Sequence, residues 1–296
     1  MTPTHESAQT QGGQAGDESL VVSERRGEVA WVRINRPRKL NALSTAVMRQ
    51  LSAALNEADQ DTDVKVVVLT GTGKSFSVGY DIAEEVELGV SRAEDWHTGL
   101  TNNVALTMQV WGLSKPVIGA VNGWCLAGGC ELAMACDILI ASDEAQFGEP
   151  EIRFGSGPVT LLMPFVIGQK KTNELLFTGD TISAESAAEI GMVNAVVAPG
   201  DLESAVTTLA EKIALTPLRI LQLTKRSLNR GYAAMGVMDA VNANLDIAAV
   251  LNGAHTPERA EFTKLVADRG LGAALAWRDH RYADVGQPDQ SRAKEH

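Results

Sequence analysis

The stretch KPVIGAVNGWCLAGGCELAMACD, Lys115 to Asp137, decides the reading of this chain. A short apolar strand, Pro116–Val121, runs into a glycine-bearing turn, and the apolar segment Gly128–Ala135 opens on two glycines and reads as a helix. Glycines at a helix start let backbone approach a ligand without side-chain obstruction. Amides there lack intrahelical partners and sit at the positive end of the helix dipole, so they can hold an oxyanion. Glu131 falls in the same first turn. A carboxylate in that place commonly compensates the dipole; beside an oxyanion donor it is also an acid/base group. A second apolar strand, Asp137–Ala141, follows directly.

Upstream, Leu20–Glu24 and Glu28–Asn35 are rich in valine and joined across Arg26-Gly27, which predicts a β-hairpin. Pro37 ends the second strand, and Ser44 caps a helix to about Ala58 with apolar Val47, Met48, Leu51 and Leu55. Val64–Thr70 is a further strand of the kind buried on both faces. The glycine-containing loop KSFSVGYDI, Lys74–Ile82, follows it and can place an amide near Tyr80 opposite the first; helical sequence then runs to Gly112. Downstream, FGEPE sets Glu149 and Glu151 on either side of Pro150, twenty residues beyond Glu131 for the latter. Two converging carboxyls can act as general base and general acid. Strands alternating with helices imply an α/β layered fold.

From Leu202 onward only helical patterns occur: Leu202–Leu215, Leu218–Arg230, Val237–Leu251, Pro257–Arg269 and Leu271–Tyr282. The expected organisation is a flexible polar tail over 1–18, a catalytic core over 19–201, a helical region over 202–285 and a polar tail over 286–296.

The 296 residues carry 26 basic and 37 acidic side chains, a net charge of −11. That balance argues against binding nucleic acid or an anionic membrane through bulk charge. Against it stands one basic strip, Arg25 to Arg49, with seven basic residues and a single acid, Glu28. No apolar run reaches the roughly 18 residues of a membrane-spanning helix, and the N-terminus has neither the basic start nor the apolar stretch of a signal peptide. A cytoplasmic setting is expected. The three cysteines, Cys125, Cys130 and Cys136, match no zinc or redox spacing and read as small core residues.

Several signatures fail. Gly73-Lys74-Ser75 resembles the end of a phosphate-binding loop, but the glycine required five residues before Gly73 is Val68. Gly155-Ser156-Gly157 lacks the spacing of a nucleophile elbow. No GxGxxG follows a strand, and the five histidines are scattered, so neither a dinucleotide site nor a metal site is expected.

The sequence resembles the crotonase superfamily, and most closely its enoyl-CoA hydratases. The matching stretches are NRPRKLNAL (Asn35–Leu43), VKVVVLTGTGKSFSVGYDI (Val64–Ile82), KPVIGAVNGWCLAGGCELAMACDI (Lys115–Ile138), AQFGEPEIRFG (Ala145–Gly155) and ELLFTGDTISAESAAEIGMVNAVV (Glu174–Val197). The resemblance implies an α/β fold with a crotonase-like ββα superhelix core and a C-terminal helical oligomerisation region. It implies hydration of a 2-enoyl-CoA to a 3-hydroxyacyl-CoA, with Glu131 helping to activate water and Glu151 delivering the proton to the α-carbon. The backbone amides of Tyr80 and Gly128 would form the oxyanion hole. Coenzyme A would arrive as part of the substrate, with no separate cofactor and no metal. Arg36, Arg38 and Lys39 are implied CoA phosphate contacts, and Lys74, Ser77, Asp81 and Ile82 are implied further contacts with the acyl-CoA.

Where relatives carry a small residue before the first loop's aspartate, this chain has Tyr80. After Glu151, GSGPVTLLMPFVIG replaces the glycine-rich segment usual in hydratases, in a region that borders the acyl pocket of the family. In LAWRDHRYAD, Trp277 stands where many hydratases have lysine, while Arg278 matches their arginine. Glu149 reads as a solvated loop charge. The alternatives on the same scaffold are double-bond isomerisation, C–C bond cleavage in an acyl-CoA, and acyl-CoA binding without turnover. Relatives with such C-terminal helices form trimers or dimers of trimers in which the last helices cover a neighbouring site; the apolar Leu265–Trp277 fits that contact, and intramolecular packing equally well.

Overall fold

The computed structural model describes residues 19–283; the expected tails over 1–18 and 286–296 lie outside the described residues. The predicted hairpin is present as β1 (Val21–Arg26) and β2 (Val29–Ile34), antiparallel, with Gly27 at φ +60° in the tight turn. A single turn of 3-10 helix, Pro37–Lys39, leads to α1 (Thr45–Gln60), whose start is capped by Ser44 accepting from Val47 N–H. Then come β3 (Val66–Gly71), β4 (Ser75–Ser77), α2 (Ile82–Leu88) and α3 (Ala93–Gly112). The deciding stretch folds as β5 (Val117–Val121), β6 (Trp124–Leu126) and α4 (Gly128–Met134), followed by β7 (Ile138–Ser142) and β8 (Gln146–Gly148). Beyond a second 3-10 segment, Pro150–Phe154, lie α5 (Met163–Ile167), α6 (Gln169–Thr178), β9 (Thr181–Ser183), α7 (Ala184–Glu189) and β10 (Ala195–Val197).

The strands form two sheets, β1-β2-β3-β5-β7-β10 and β4-β6-β8-β9. Each turn of the chain gives one strand to each sheet: β3, β5 and β7 lie side by side and parallel in the larger, and β4, β6 and β8 do the same in the smaller. Helical segments close each turn, which is the expected ββα superhelix. The smaller sheet was not anticipated, because its strands are only three residues long and carry no readable periodicity.

Strand β3 is buried on both faces, as its continuous apolar run requires. Val67 and Leu69 enter the main core with α1 and α3, while Val66 and Val68 face the opposite layer. That layer is α8 (Leu202–Ala214), whose Leu202, Val206, Ala210 and Ala214 lie against the sheet. The first helix beyond residue 201 therefore belongs to the layered body. Lys115 and Asp137, which bracket the deciding stretch, are tied down by charge. The buried Lys115 Nζ donates to the carbonyls of Ala58 (2.7 Å) and Asp61 (2.5 Å) at the end of α1, where a cation suits the helix dipole.

The remaining helices are α9 (Leu218–Ala234), α10 (Val237–Asn252), α11 (Pro257–Arg269) and α12 (Leu271–Ala283). Lys225 of α9 pairs with Asp137 at 2.7 Å. The pair α11–α12 folds back over its own chain. Phe262 stacks on Phe154 with ring centroids 4.4 Å apart, and Leu265, Leu271, Leu275 and Trp277, with Ile82 and Val86 of α2, pack against the cluster that these rings form with Val266 and Ala274. Of the two arrangements the sequence leaves open for Leu265–Trp277, the single chain shows the intramolecular packing.

Candidate active site

The loop before α2 is built from buried polar side chains. Asn41, in the left-handed region at φ +59°, donates from Nδ2 to the carbonyls of Thr72 (3.0 Å) and Ser75 (2.7 Å) and accepts from Arg36 N–H (2.9 Å). Ser77 donates to Asn41 O (2.9 Å) and accepts from Gly79 N–H (3.1 Å). Leu43 N–H donates to Gly79 O and Asp81 N–H donates to Leu43 O, a one-residue parallel bridge centred on Tyr80. Because neighbouring groups of an extended backbone point to opposite sides, the Tyr80 N–H faces away from Leu43, without a partner among the described residues.

Gly79 sits at φ +87°, and a Cβ there would come within 2.6 Å of Ala127 Cβ and 2.9 Å of Gly128 N. The two loops are therefore in direct contact, and only glycine permits it. On the other side, Ala127 adopts φ +53°, ψ −133°, an unfavourable conformation for a residue with a Cβ, and it turns the chain sharply into α4. The Gly128 N–H likewise has no partner among the described residues. A Cβ on Gly128 would lie 2.4 Å from Tyr80 Cε2, so the tyrosine ring itself covers the helix start. The Tyr80 hydroxyl meets Thr107, and burial together with the charge of Glu131 pushes the phenol well above its ordinary range. Beside the ring a cavity of about 480 Å³ opens between α1, α2 and α3, bounded by Leu43, Met48, Glu85, Trp96 and Leu106. That volume suits a small-molecule substrate. Neither this cavity, which Tyr80 and Glu85 line, nor a hollow of about 570 Å³ between α3 and α9 is lined by Glu131 or Glu151.

Glu131 is fully buried and firmly held. Its Oε1 accepts from the N–H groups of Val159 and Thr160, each at 2.6 Å, and its Oε2 from Thr160 Oγ1 at 3.2 Å. Asn244 of α10 fixes these donors from behind, bonding the carbonyls of Pro158 and Val159 at 2.9 Å each. Leu161, next in line, sits at φ +55°, strain that a non-glycine residue tolerates when its surroundings enforce it. Burial raises the Glu131 pKa, and the three donors pull it back. Glu151 lacks such an anchor: its carboxyl meets only its own backbone N–H, and its Oε2 is buried without a partner. Burial pushes its pKa up to about 8, helped by the Glu131 charge and opposed by Arg278. Of the two, Glu131 has the donors that favour a carboxylate, and Glu151 is the one that burial favours as the acid.

Glu149 is not the solvated charge expected from sequence. It is 2% exposed, and burial, then the charges of Glu131 and Glu151, drive its pKa far up. An acidic loop looks the same in sequence whether it faces water or the core. Glu85, on α2, was also missed; burial lifts it to about 7 against the opposing charge of Arg259. Nothing local in the sequence marks the Val159 and Thr160 amides, which are main-chain groups.

The residues implied as acyl-CoA contacts divide into three sets. Arg36, Ser77 and Asp81 turn their side chains into the loop: Arg36 pairs with Asp81, and Asp81 also caps α2 by accepting from Ala83 and Glu84 N–H. Ile82 packs its side chain toward Phe262 and the C-terminal helices. Arg38, Lys39 and Lys74 are exposed and have no ion-pair partner among the described residues. The basic strip is narrower than its composition implies. Arg25 pairs with Asp63 (3.0 Å), while Arg26 (2.6 Å) and Arg33 (3.0 Å) share Glu203 and lie over the Trp31 ring.

Known proteins share this sequence and fold. The sequence profile described as enoyl-CoA hydratase/isomerase matches residues 24–253. The short-chain-enoyl-CoA hydratase of Clostridium acetobutylicum is 40% identical over 215 residues, covering 71% of this chain and 81% of the relative. The crotonyl-CoA hydratase of Syntrophomonas wolfei is 36% identical over 215 residues, covering 71% and 82%. Among solved structures, an enoyl-CoA hydratase/isomerase from Xanthobacter autotrophicus Py2 superposes with a TM-score of 0.87 at 38% identity, over 89% of this chain and 98% of its own. With two unpartnered amides in loops that touch and a group of buried carboxyls close by, on a fold and sequence shared at this level, the chain belongs to the enoyl-CoA hydratase/isomerase family.

Proposed function

We propose that this chain adds water across the double bond of a 2-enoyl-CoA thioester to give the 3-hydroxyacyl-CoA. The observation that carries the reading is the unequal carboxyl pair. Glu131 is anchored by three donors, and Glu151 keeps a buried Oε2 without a partner. The two relatives named as short-chain-enoyl-CoA and crotonyl-CoA hydratases support the same substrate class.

In this reading the thioester oxygen accepts hydrogen bonds from Tyr80 N–H and Gly128 N–H. Glu131 takes a proton from water as the oxygen attacks the β-carbon. The electron pair of the double bond moves toward the thioester, where the two amides stabilise the enolate, each such donor typically contributing about 3–4 kcal/mol. Glu151 then gives its proton to the α-carbon, and transfer of a proton from Glu131 back to Glu151 resets the pair. Nothing is oxidised or reduced, so coenzyme A as part of the substrate is the sole carrier required. Arg38, Lys39 and Lys74 offer free charge to the CoA phosphates.

An oligomer, a trimer or dimer of trimers, and a cytoplasmic setting belong to the same proposal. Exposed apolar side chains on α9, α10 and the turn between them, Ile220, Leu228, Met235, Ile247 and Val250, supply a contact surface. The free cysteines fit a reducing compartment.

The test is incubation with crotonyl-CoA, a longer and an aromatic 2-enoyl-CoA. Loss of the conjugated enoyl absorbance with 3-hydroxyacyl-CoA as product is expected. Glu131→Gln and Glu151→Gln should each lower kcat by about 10²–10⁴-fold. Formation of 2-enoyl-CoA from a 3-enoyl-CoA, with no hydration of any of the three, would instead establish isomerisation.

A further inference from the structure

The reaction above uses two of the three carboxyls in the site. The third, Glu149, is separated from Glu151 by Pro150 alone, whose ring fixes the backbone between them. Glu149 ends β8's extension and precedes the 3-10 turn, yet its side chain makes no capping bond to that turn. Its Oε2 is buried without a hydrogen-bond partner, and so is Oε2 of Glu151. A buried carboxyl oxygen left unpaired is costly, and two in adjoining residues of one turn call for a common explanation.

A proton held on Glu149 gives this pair of oxygens a hydrogen-bond donor. A carboxylate only accepts hydrogen bonds, whereas a carboxylic acid also donates one. We propose that Glu149 is a positioning residue for the acid Glu151: held as the neutral carboxylic acid, it donates a hydrogen bond to the Glu151 carboxylate formed when that proton leaves for the substrate. The proposal rests on the hydratase reading for the direction of proton flow.

The surroundings favour the neutral form of Glu149. Cys130 and Glu131 of α4 and Glu151 of its own turn all disfavour its charge, and no cation among the described residues offsets them. Glu151 is faced by Glu131, by Glu85 of α2, and by Arg278 of α12. The Glu151 anion, once formed, thus has the charge of Arg278 and its own N–H to stabilise it, and its buried Oε2 has no donor. A neutral neighbour with a proton to share stabilises it without adding charge, and makes Glu151 a stronger acid at the moment of transfer.

The experiment compares the full chain with Glu149→Gln, whose amide keeps a neutral donor, and Glu149→Met, which fills the space without one. Rates of enoyl-CoA hydration are followed across pH. For Glu149→Gln, kcat within about threefold of wild type and an unmoved alkaline limb are expected. For Glu149→Met, kcat falls by about ten- to a hundredfold, as for a lost hydrogen bond to a charged group. Its alkaline limb moves to higher pH because Glu151 ionises less readily, while the acid limb set by Glu131 stays in place. Circular dichroism of both variants establishes that they fold.

An independent arm is the infrared difference spectrum of wild type minus Glu149→Gln at neutral pH. A protonated-carboxyl stretch belonging to Glu149 is expected, and this holds whether or not the protein hydrates any substrate tried. Absence of that band overturns the proposal. So does a Glu149→Met enzyme with wild-type kcat and an unmoved alkaline limb, or a downward shift of that limb, which would make Glu149 a charged neighbour. Inactivity of Glu149→Gln equal to that of Glu151→Gln overturns it too, since Glu149 would then be the proton carrier itself.

Discussion

Thr160→Val removes one of three donors to Glu131 and leaves nearly everything else in place. Thr160 is fully buried, and valine has the same branched shape, so the change deletes a hydroxyl with little loss of packing. The two amide bonds to Oε1, at 2.6 Å, are main-chain and survive. What is lost is the Oγ1 bond to Oε2 at 3.2 Å, long for a hydroxyl donating to a carboxylate. Hydrogen bonds to charged groups contribute about 1.5–3 kcal/mol, and this length argues for the low end, about 1.5 kcal/mol. That energy stabilises the ionised base only. Its loss makes Glu131 easier to protonate, lowering the ionised fraction roughly tenfold on the acid side of its midpoint. The assay is kcat/KM for a short-chain enoyl-CoA across pH. The acid limb should move upward, with kcat/KM down about tenfold at low pH and close to wild type on the plateau. A uniform fall at every pH would show that Thr160 orients Glu131 without stabilising its charge. No change at all would mean that the two amides suffice.

Other outcomes follow from the same geometry. Glu151 titrates at about 8 in the fold, above the roughly 4.3 of an unfolded glutamate, so the folded state binds the extra proton between those limits. Stability of the free protein should therefore decline as pH rises from about 4.5 to 8. Glu151→Gln should flatten that decline in a series of thermal melts, and an unchanged slope would show that the carboxyl is not buried in solution. Replacing both Arg38 and Lys39 by glutamine should raise KM for a CoA substrate several-fold at low salt and progressively less as salt screens the contact; a KM insensitive to both changes removes them from the phosphate site. Gly79→Ala forces a left-handed backbone and a 2.6 Å contact with Ala127, which should cost about 1–3 kcal/mol in chemical denaturation and a large part of kcat by moving the Tyr80 amide. Full activity in that variant would place the oxyanion donors elsewhere.

The hairpin, the Ser44-capped helix and the doubly buried strands were legible because each has enough residues to display a period. The smaller sheet has none to display, and it is ordered by neighbouring strands rather than by its own sequence. In the site, Glu131 and Glu151 stood out through their surroundings in the chain. Glu149 did not, since the groups that disfavour its charge include Cys130 and Glu131 of α4, more than a dozen residues away in sequence. Arg36, Ser77 and Asp81 show the converse. Polar side chains close to a binding loop were expected to meet the ligand, and the structure spends them on holding the loop in shape.

The attachment of Glu131 to Val159 and Thr160 N–H has a consequence for how this scaffold diverges. Main-chain donors are supplied by almost any residue, so side chains of this segment can change, within the packing that buries Val159, Leu162 and Met163, while Glu131 keeps its anchor. Selection for a new acyl group can act on this segment without dismantling the catalytic apparatus. The departure of GSGPVTLLMPFVIG from the glycine-rich form is such a change, and libraries randomised at those side chains are the natural place to evolve new substrate preference.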